Sequence, residues 1–100
     1  MVDLMEIQKR ILVNKKKKGF NTTDISKEFC FAYGEVSEAY EAWRNNKPDL
    51  GEEIADVVRY LLGLSEILNI NLESEILKKI EKNESRVYYT IDGVLKKKDF

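Results

Sequence analysis

The chain has 100 residues, of which 17 are basic and 18 acidic, and its net charge at pH 7 is −1. This length predicts a single domain over residues 1–100, and the balanced charge argues against a nucleic-acid-coating or membrane-surface protein. There is no histidine, which excludes Ser-His and Cys-His nucleophile systems and the usual catalytic zinc sites.

The hydrophobic periodicity predicts four helices, the first over residues 2–18. Leu4, Ile7 and Ile11 share one face of it. A lysine run followed by Gly19 is typical of a helix C-terminus. The run, residues 15–18, either gathers a polyphosphate or is a solvated helix end.

The second predicted helix covers residues 24–44 and carries one apolar stripe. The stripe comprises Ile25, Phe29, Ala32, Val36, Ala39 and Trp43. Trp43 therefore belongs to the core or to an interface, although an aromatic side chain here could also stack on a base. Cys30 lies in the apolar run FCFAY. We expect it to be a buried free thiol in a reducing, cytoplasmic environment.

The third predicted helix covers residues 50–69, with Asp49 as its cap and Glu52 completing a capping box. This helix is apolar nearly all round, which indicates that several neighbours cover it. In so small a chain, we expect a second subunit to be one of them.

The fourth predicted helix covers residues 72–86 and is capped by Asn71. The tail, residues 87–100, contains a β-rich run, an Asp-Gly turn and a second short run. This pattern predicts a β-hairpin, or else an extended arm that lies on a partner. The predicted fold class is therefore all-α with a short C-terminal hairpin.

Two pairs of acidic residues are set at the edge of the apolar faces of the second and third helices. Glu35 and Glu38 form one pair, and Glu53 and Asp56 form the other. Each pair has a spacing of three residues, which places both carboxylates on one side of a helix. At 1.5 Å per residue, all four lie roughly 6–13 Å from the turn that joins the helices.

Four carboxylates at one level repel one another, and a divalent cation relieves the repulsion. An all-oxygen ligand set suits Mg²⁺, or alternatively Mn²⁺. Acidic pairs at this spacing also occur by chance in a chain this acidic, so the pattern alone leaves open a solvated surface cluster.

The acidic pattern E-x-x-E, a gap of 14 residues, then E-x-x-D resembles the signature of the MazG-like, all-α nucleoside triphosphate pyrophosphohydrolases. KKGFNTTDISKEF, residues 17–29, and GEEIADVVRYLLGLSEILNINLE, residues 51–73, are similar to the segments around the two acid pairs. KKIEKNESR, residues 78–86, resembles the closing K-x-x-x-N-x-x-R segment of the family.

The resemblance implies a Mg²⁺-dependent hydrolysis of a nucleoside triphosphate to the monophosphate and pyrophosphate. It implies that Glu35, Glu38, Glu53 and Asp56 form the catalytic metal shell, and that the protein is a homodimer or a homotetramer. Glu28 and Glu41 are candidates for an auxiliary role. A non-catalytic helical interaction module with the same fold is the alternative.

Five further residues are candidates for binding the substrate. Lys79, Asn83 and Arg86 form a stripe on the fourth helix, where cations and an amide suit phosphate and sugar oxygens. The same pattern is also that of a charged helix end with a satisfied surface amide. Phe20 and Asn21, in the loop before the second helix, are candidates for contact with the nucleotide.

Overall fold

The computed structural model describes residues 1–97 and contains four α-helices followed by a two-stranded hairpin. The elements are α1 (Leu4–Lys18), α2 (Ile25–Arg44), α3 (Leu50–Ile67), α4 (Leu72–Ser85), β1 (Tyr88–Ile91) and β2 (Val94–Lys97). The predicted all-α fold with a C-terminal hairpin is confirmed, and the predicted helix ends differ by at most two residues. Residues 98–100 of the predicted tail lie outside the described residues.

Short polar side chains begin three of the helices. Asp3, Asp24 and Asn71 each accept a hydrogen bond from the backbone N–H three residues further on. These bonds satisfy N–H groups that have no partner inside the helix. Gly19 ends α1 with φ at 80°, a conformation that glycine adopts without steric cost.

The predicted capping box at the start of α3 is wrong. The side chain of Asp49 makes no capping hydrogen bond, because its backbone is in a turn conformation with ψ at 15° rather than extended. Only its backbone carbonyl contributes, accepting the N–H of Glu53 at 3.0 Å. The chain therefore passes from the turn directly into the helix.

The core lies where α3 meets α2 on one side and α1 on another, while α4 packs on α1. Within residues 1–97, the apolar residues that are fully buried are Ala32, Ala42, Leu62 and Leu64. Helices α1 and α3 approach closely at Gly63, where a Cβ would lie 3.1 Å from the Cγ2 of Ile11. In the described part of the chain, no helix is long and apolar enough to span a bilayer.

The predicted apolar stripe of α2 is only partly buried, which corrects the sequence-based expectation. Ala32 is buried, but Phe29, Val36 and Trp43 are 45%, 51% and 62% exposed. Because α3 covers one side of α2, the adjoining side has no extensive neighbour among residues 1–97. Cys30 is likewise exposed rather than buried, since it lies on the side of α2 away from Ala32.

An ion pair joins three helices in the interior. The Nζ of Lys15 pairs with the Oε1 of Glu28, and these side chains are 6% and 2% exposed. Lys15 also lies 4.9 Å from the centroid of the Tyr60 ring, and Asn21 donates a hydrogen bond to Glu28 at 3.2 Å. The lysine run is therefore not uniformly solvated, because its first member is part of the core.

A second buried polar group, Gln8, ties α1 to the junction of α3 and α4. Its Nε2 donates to the Oε2 of Glu66 at 3.1 Å and to the carbonyl of Ile70 at 2.9 Å. Its Oε1 accepts the backbone N–H of Leu72 at 3.2 Å. The nitrogen and the oxygen of the Gln8 amide are therefore both paired. Gln8 holds the turn between α3 and α4 without leaving a buried polar atom unsatisfied.

We expect Lys15→Met to destabilise the protein by about 3–5 kcal/mol, because it leaves the buried carboxylate of Glu28 without its partner. The double variant Lys15→Met/Glu28→Met should recover much of that loss, since no unpaired charge remains. Urea unfolding measures both, with Lys16→Met as the exposed control. A single variant as stable as the control would contradict the burial of this pair.

Candidate metal centre

Three of the four predicted acids converge at the seam between α2 and α3. Carboxylate oxygens of Glu35, Glu38 and Glu53 all lie within 4.8 Å of one another. The helices bring them together because residues 35 and 38 face α3 one turn apart, and residue 53 lies opposite them beyond the short turn. The matching heights predicted from the helical rise are therefore observed for these three.

Two of these carboxylates have an oxygen that is buried and unpaired. The Oε2 atoms of Glu35 and Glu53 are inaccessible and have no hydrogen-bond partner. A buried carboxylate oxygen without a partner is costly, and its chemistry suits a hard cation. The donor set of oxygens alone therefore fits Mg²⁺ or Mn²⁺.

The pKa values of two of the three acids, Glu35 and Glu53, are raised in the folded protein. Burial raises the pKa of Glu35, and the carboxylates of Glu38 and Asp56 raise it further, against a smaller lowering by Arg59. Burial also raises the pKa of Glu53, with further contributions from nearby acids. Both shifts oppose ionisation, so the closely spaced charges store repulsion in the folded state.

Asp56, the fourth predicted ligand, lies beside the group of three rather than within it. Its Oδ1 accepts a hydrogen bond from the Nε of Arg59 at 3.3 Å. Arg59 also stacks over the ring of Tyr60, 5.0 Å from its centroid. The aspartate is therefore near enough to affect the pKa of Glu35 but is engaged with an arginine.

A cleft of about 240 Å³ opens at the acidic group. Glu38, Glu53, Glu41, Asp49 and Lys47 are among its lining residues. Glu41 is thus placed at the cleft, while Glu28, the other auxiliary candidate, is bound to Lys15 in the core. A larger groove of about 760 Å³ runs along α1 and reaches Arg59.

The candidates on α4 form a separate group. Arg86 donates to the Oδ1 of Asn83 at 2.8 Å. The charge of Arg86 lowers the pKa of Lys79, as do burial, Lys82 and Lys97. Cations crowded in this way attract an anion. Among the described residues, α4 packs on α1 rather than on the helices that hold the acids.

The two loop candidates differ in how free they are to bind a ligand. Phe20 is 59% exposed. Asn21 uses its amide nitrogen on the carbonyl of Asp24 at 3.0 Å and on Glu28, and its oxygen accepts the N–H of Asp24. The structure therefore shows Asn21 organising the loop and the buried ion pair.

Sequence reasoning missed the pairing of Lys15 with Glu28 and the engagement of Asp56 by Arg59. The spacing of three between Asp56 and Arg59 is a helical ion-pair signal that could have revealed the second. Nothing local marks the first, because residues 15 and 28 meet only when α1 and α2 pack together.

No family model matches this chain, and neither the curated proteins nor the solved structures contain a significant match to it. The MazG-like resemblance therefore remains a prediction from the motif residues.

We expect Glu35→Gln to raise the melting temperature in EDTA at neutral pH, because it removes a carboxylate whose pKa is raised by folding. A carboxyl group whose pKa is raised by folding destabilises the folded state at pH values where the group is ionised. It has no effect below the ordinary carboxyl pKa, because there it is protonated in both the folded and the unfolded state. The gain should therefore shrink as the pH falls toward 4. Thermal unfolding from pH 4 to 8, with Glu81→Gln as a surface control, measures this, and a gain that is the same at every pH would contradict it.

Proposed function

We propose that this chain is a divalent-cation-dependent hydrolase that converts a nucleoside triphosphate to the monophosphate and pyrophosphate. The observation that carries the proposal is the convergence of Glu35, Glu38 and Glu53 with two buried, unpaired carboxylate oxygens. The substrate class comes from the resemblance of the acidic motif and of the α4 segment to the MazG-like family.

In this proposal the three convergent carboxylates hold Mg²⁺ or Mn²⁺, and Asp56 is the fourth candidate ligand. The bound cation supplies charge neutralisation on the phosphate oxygens and orients the attacking water. Glu41, which lines the cleft, is the candidate general base in this proposal, because a carboxylate that is not a metal ligand can accept a proton from water. Lys79 and Arg86 are candidates for contacts with phosphate oxygens from the resemblance alone, because α4 packs on α1 and not on the helices that hold the acids.

The reaction adds water across one phosphoanhydride bond. The water oxygen bonds to the α-phosphorus, and the bond from that phosphorus to the bridging oxygen breaks. Pyrophosphate leaves with the bridging oxygen, and the proton released from the water passes to a carboxylate.

We also propose that the working unit contains more than one copy of this chain. Exposed apolar side chains recur at intervals of three and four along α2, and at intervals of four, three and seven from α3 to its C-cap residue Leu68, which is the spacing of one helix face. We call these nine residues the apolar face: Phe29, Tyr33, Val36, Tyr40, Trp43, Ile54, Val58, Leu61 and Leu68.

The area of the apolar face matches what a stable dimer requires. Its members are between 41% and 74% exposed. A buried aromatic side chain alone contributes about 150–250 Å², so nine residues at these exposures present an area on the order of the roughly 800 Å² per partner of a standard interface. A second copy docking by two-fold symmetry places the same face on both partners.

The apolar face also favours the second candidate function, a non-catalytic helical interaction module. The two functions differ in their response to divalent cations, because a module that does not use the acidic group gains no stability from Mg²⁺ or Mn²⁺.

The exposed Cys30 is compatible with the cytoplasmic location proposed from the sequence.

We expect Mn²⁺ to raise the melting temperature of the wild type, since a ligand that binds only the folded state stabilises it. A cation concentration 100-fold above Kd stabilises by about 2.7 kcal/mol. Glu53→Gln should abolish both this shift and pyrophosphate release from nucleoside triphosphates. Glu52→Gln, the same change on the adjacent exposed residue, should retain both.

If Mn²⁺ raises the melting temperature of the wild type but no common triphosphate yields pyrophosphate, the metal site stands and the proposed hydrolase activity is overturned. No Mn²⁺ response in the presence or absence of nucleotide would favour the interaction module.

We expect Val36→Glu to dissociate the apolar-face dimer. The symmetric contact buries two carboxylates, each costing about 1.4 kcal/mol or more, which weakens association by about 100-fold or more. Cys30→Glu, an exposed position outside the apolar face on the same helix, is the matched control. Sedimentation equilibrium measures both, and equal association constants would overturn this interface.

A further inference from the structure

The C-terminal hairpin is a folded element that makes no extensive contact with the helices in the described part of the chain. Its turn is formed by Asp92 and Gly93, both with positive φ, at 52° and 76°. These angles are typical of a type I′ turn, which matches the twist of a hairpin. All eight strand residues are exposed, and each strand pairs extensively only with the other among the described elements.

A two-stranded hairpin alone in water is marginally stable. This hairpin also exposes apolar side chains on both of its faces. Ile91 and Val94 are 50% and 53% exposed on one face, and Leu95 is 65% exposed on the other. The hairpin therefore needs a further partner. Such a partner can add a strand at either of the two open edges of the hairpin.

The two edges differ in charge. Strand β2 ends in Lys96 and Lys97, one on each face of the hairpin. Lysines on an edge strand oppose pairing with another strand. Strand β1, with the sequence YYTI, has no charge and is aromatic or β-branched throughout. The edge of β1 is therefore the one that is open to pairing.

The register identifies the groups on that edge. Ile91 pairs with Val94 across the two-residue turn, so these residues exchange hydrogen bonds. Because the pattern alternates along an antiparallel strand, the N–H and C=O groups of Tyr88 and Thr90 point away from β2. They form an unpaired row on the outer side of β1.

We infer that β1 pairs with β1 of a second copy of this chain, which joins two hairpins into a four-stranded antiparallel sheet.

The edge of β1 is complementary to itself. With Tyr89 at the two-fold axis, Tyr88 lies opposite Thr90 of the second copy, and the outward groups of both copies form about four main-chain hydrogen bonds. In the same register, Val87 lies opposite Ile91 of the second copy. The pairing therefore joins backbone groups and apolar side chains without bringing the lysines of β2 together.

This contact is separate from the apolar face, because the hairpin follows α4 and the apolar face lies on α2 and α3. A chain with two different two-fold contacts assembles beyond a dimer, and the smallest closed assembly is a tetramer. The inference does not depend on the metal site or on the proposed reaction.

The first experiment compares Thr90→Pro with Thr90→Val. Proline removes the outward N–H of residue 90 and leaves the hydrogen bonds between β1 and β2 intact. Thr90→Val keeps the N–H and the β-branched shape. Sedimentation equilibrium should give Thr90→Pro half the mass of the wild type and Thr90→Val the full mass. The halving is expected whether or not the apolar face also associates.

The second experiment tests the register by cross-linking in a Cys30→Ser background. Residues facing each other at the axis as a non-hydrogen-bonded pair have Cα atoms about 4.5 Å apart, within the range of a disulfide. Tyr89→Cys should oxidise to a covalent dimer. Lys96→Cys, the neighbour of residue 89 on the same face but on β2, should stay monomeric on a denaturing gel.

Equal masses for the two Thr90 variants would overturn the pairing of β1 with β1. Equal cross-linking of the two cysteine variants would overturn it as well, because the contact would then not be specific to this edge. These results would leave the apolar-face dimer and the hydrolase untouched, since those are tested by Val36→Glu and Glu53→Gln.

Discussion

The pairing of Lys15 with Glu28 fixes how the first three helices meet. Lys15 reaches from α1 past Gly63 of α3, where an added Cβ would lie 3.6 Å from its Cδ, to a carboxylate on α2. A charge this deeply buried is tolerated only with its partner in place. The pair therefore sets which face of α2 turns inward. Glu35, seven residues beyond Glu28, lies on that same face.

The placement of the acids follows from this constraint and has an electrostatic cost. Once Glu28 faces inward, Glu35 and Glu38 are directed toward α3, where Glu53 meets them. Unlike Glu28, these acids have no ion-pair partner among residues 1–97, and burial, together with the neighbouring carboxylates, raises the pKa values of Glu35 and Glu53. One helix thus carries a neutralised buried carboxylate and, two turns later, a group whose charge is left for a cation.

The sequence predicted the features that depend on local pattern. The helix ends, the Asn71 cap and the Asp-Gly turn are all set by residues within a few positions of one another. The convergence of Glu35, Glu38 and Glu53 was also predictable, because a short turn and the helical rise determine their heights.

What could not be predicted depends on long-range packing. Asp49 has the right side chain for a cap, but the turn before α3 fixes its backbone in the wrong conformation. The exposure of Phe29 and Cys30 depends on which side of α2 the rest of the chain covers.

The distribution of apolar surface connects the acidic group to the assembly. Among the described residues, only two alanines and two leucines are buried apolar residues, and the aromatic residues of α2 lie outside the core. Folding of this chain is therefore expected to be coupled to association, since each copy covers apolar surface that the other leaves exposed.

Association of two copies also affects the metal site. Glu35 and Glu38 on α2 and Glu53 on α3 belong to the two helices that carry the apolar face, so docking a second copy restrains the seam in which the carboxylates meet. Restraining ligands before the cation arrives reduces the ordering cost of binding. On this argument, loss of the apolar-face contact weakens cation binding without any change to the acids themselves.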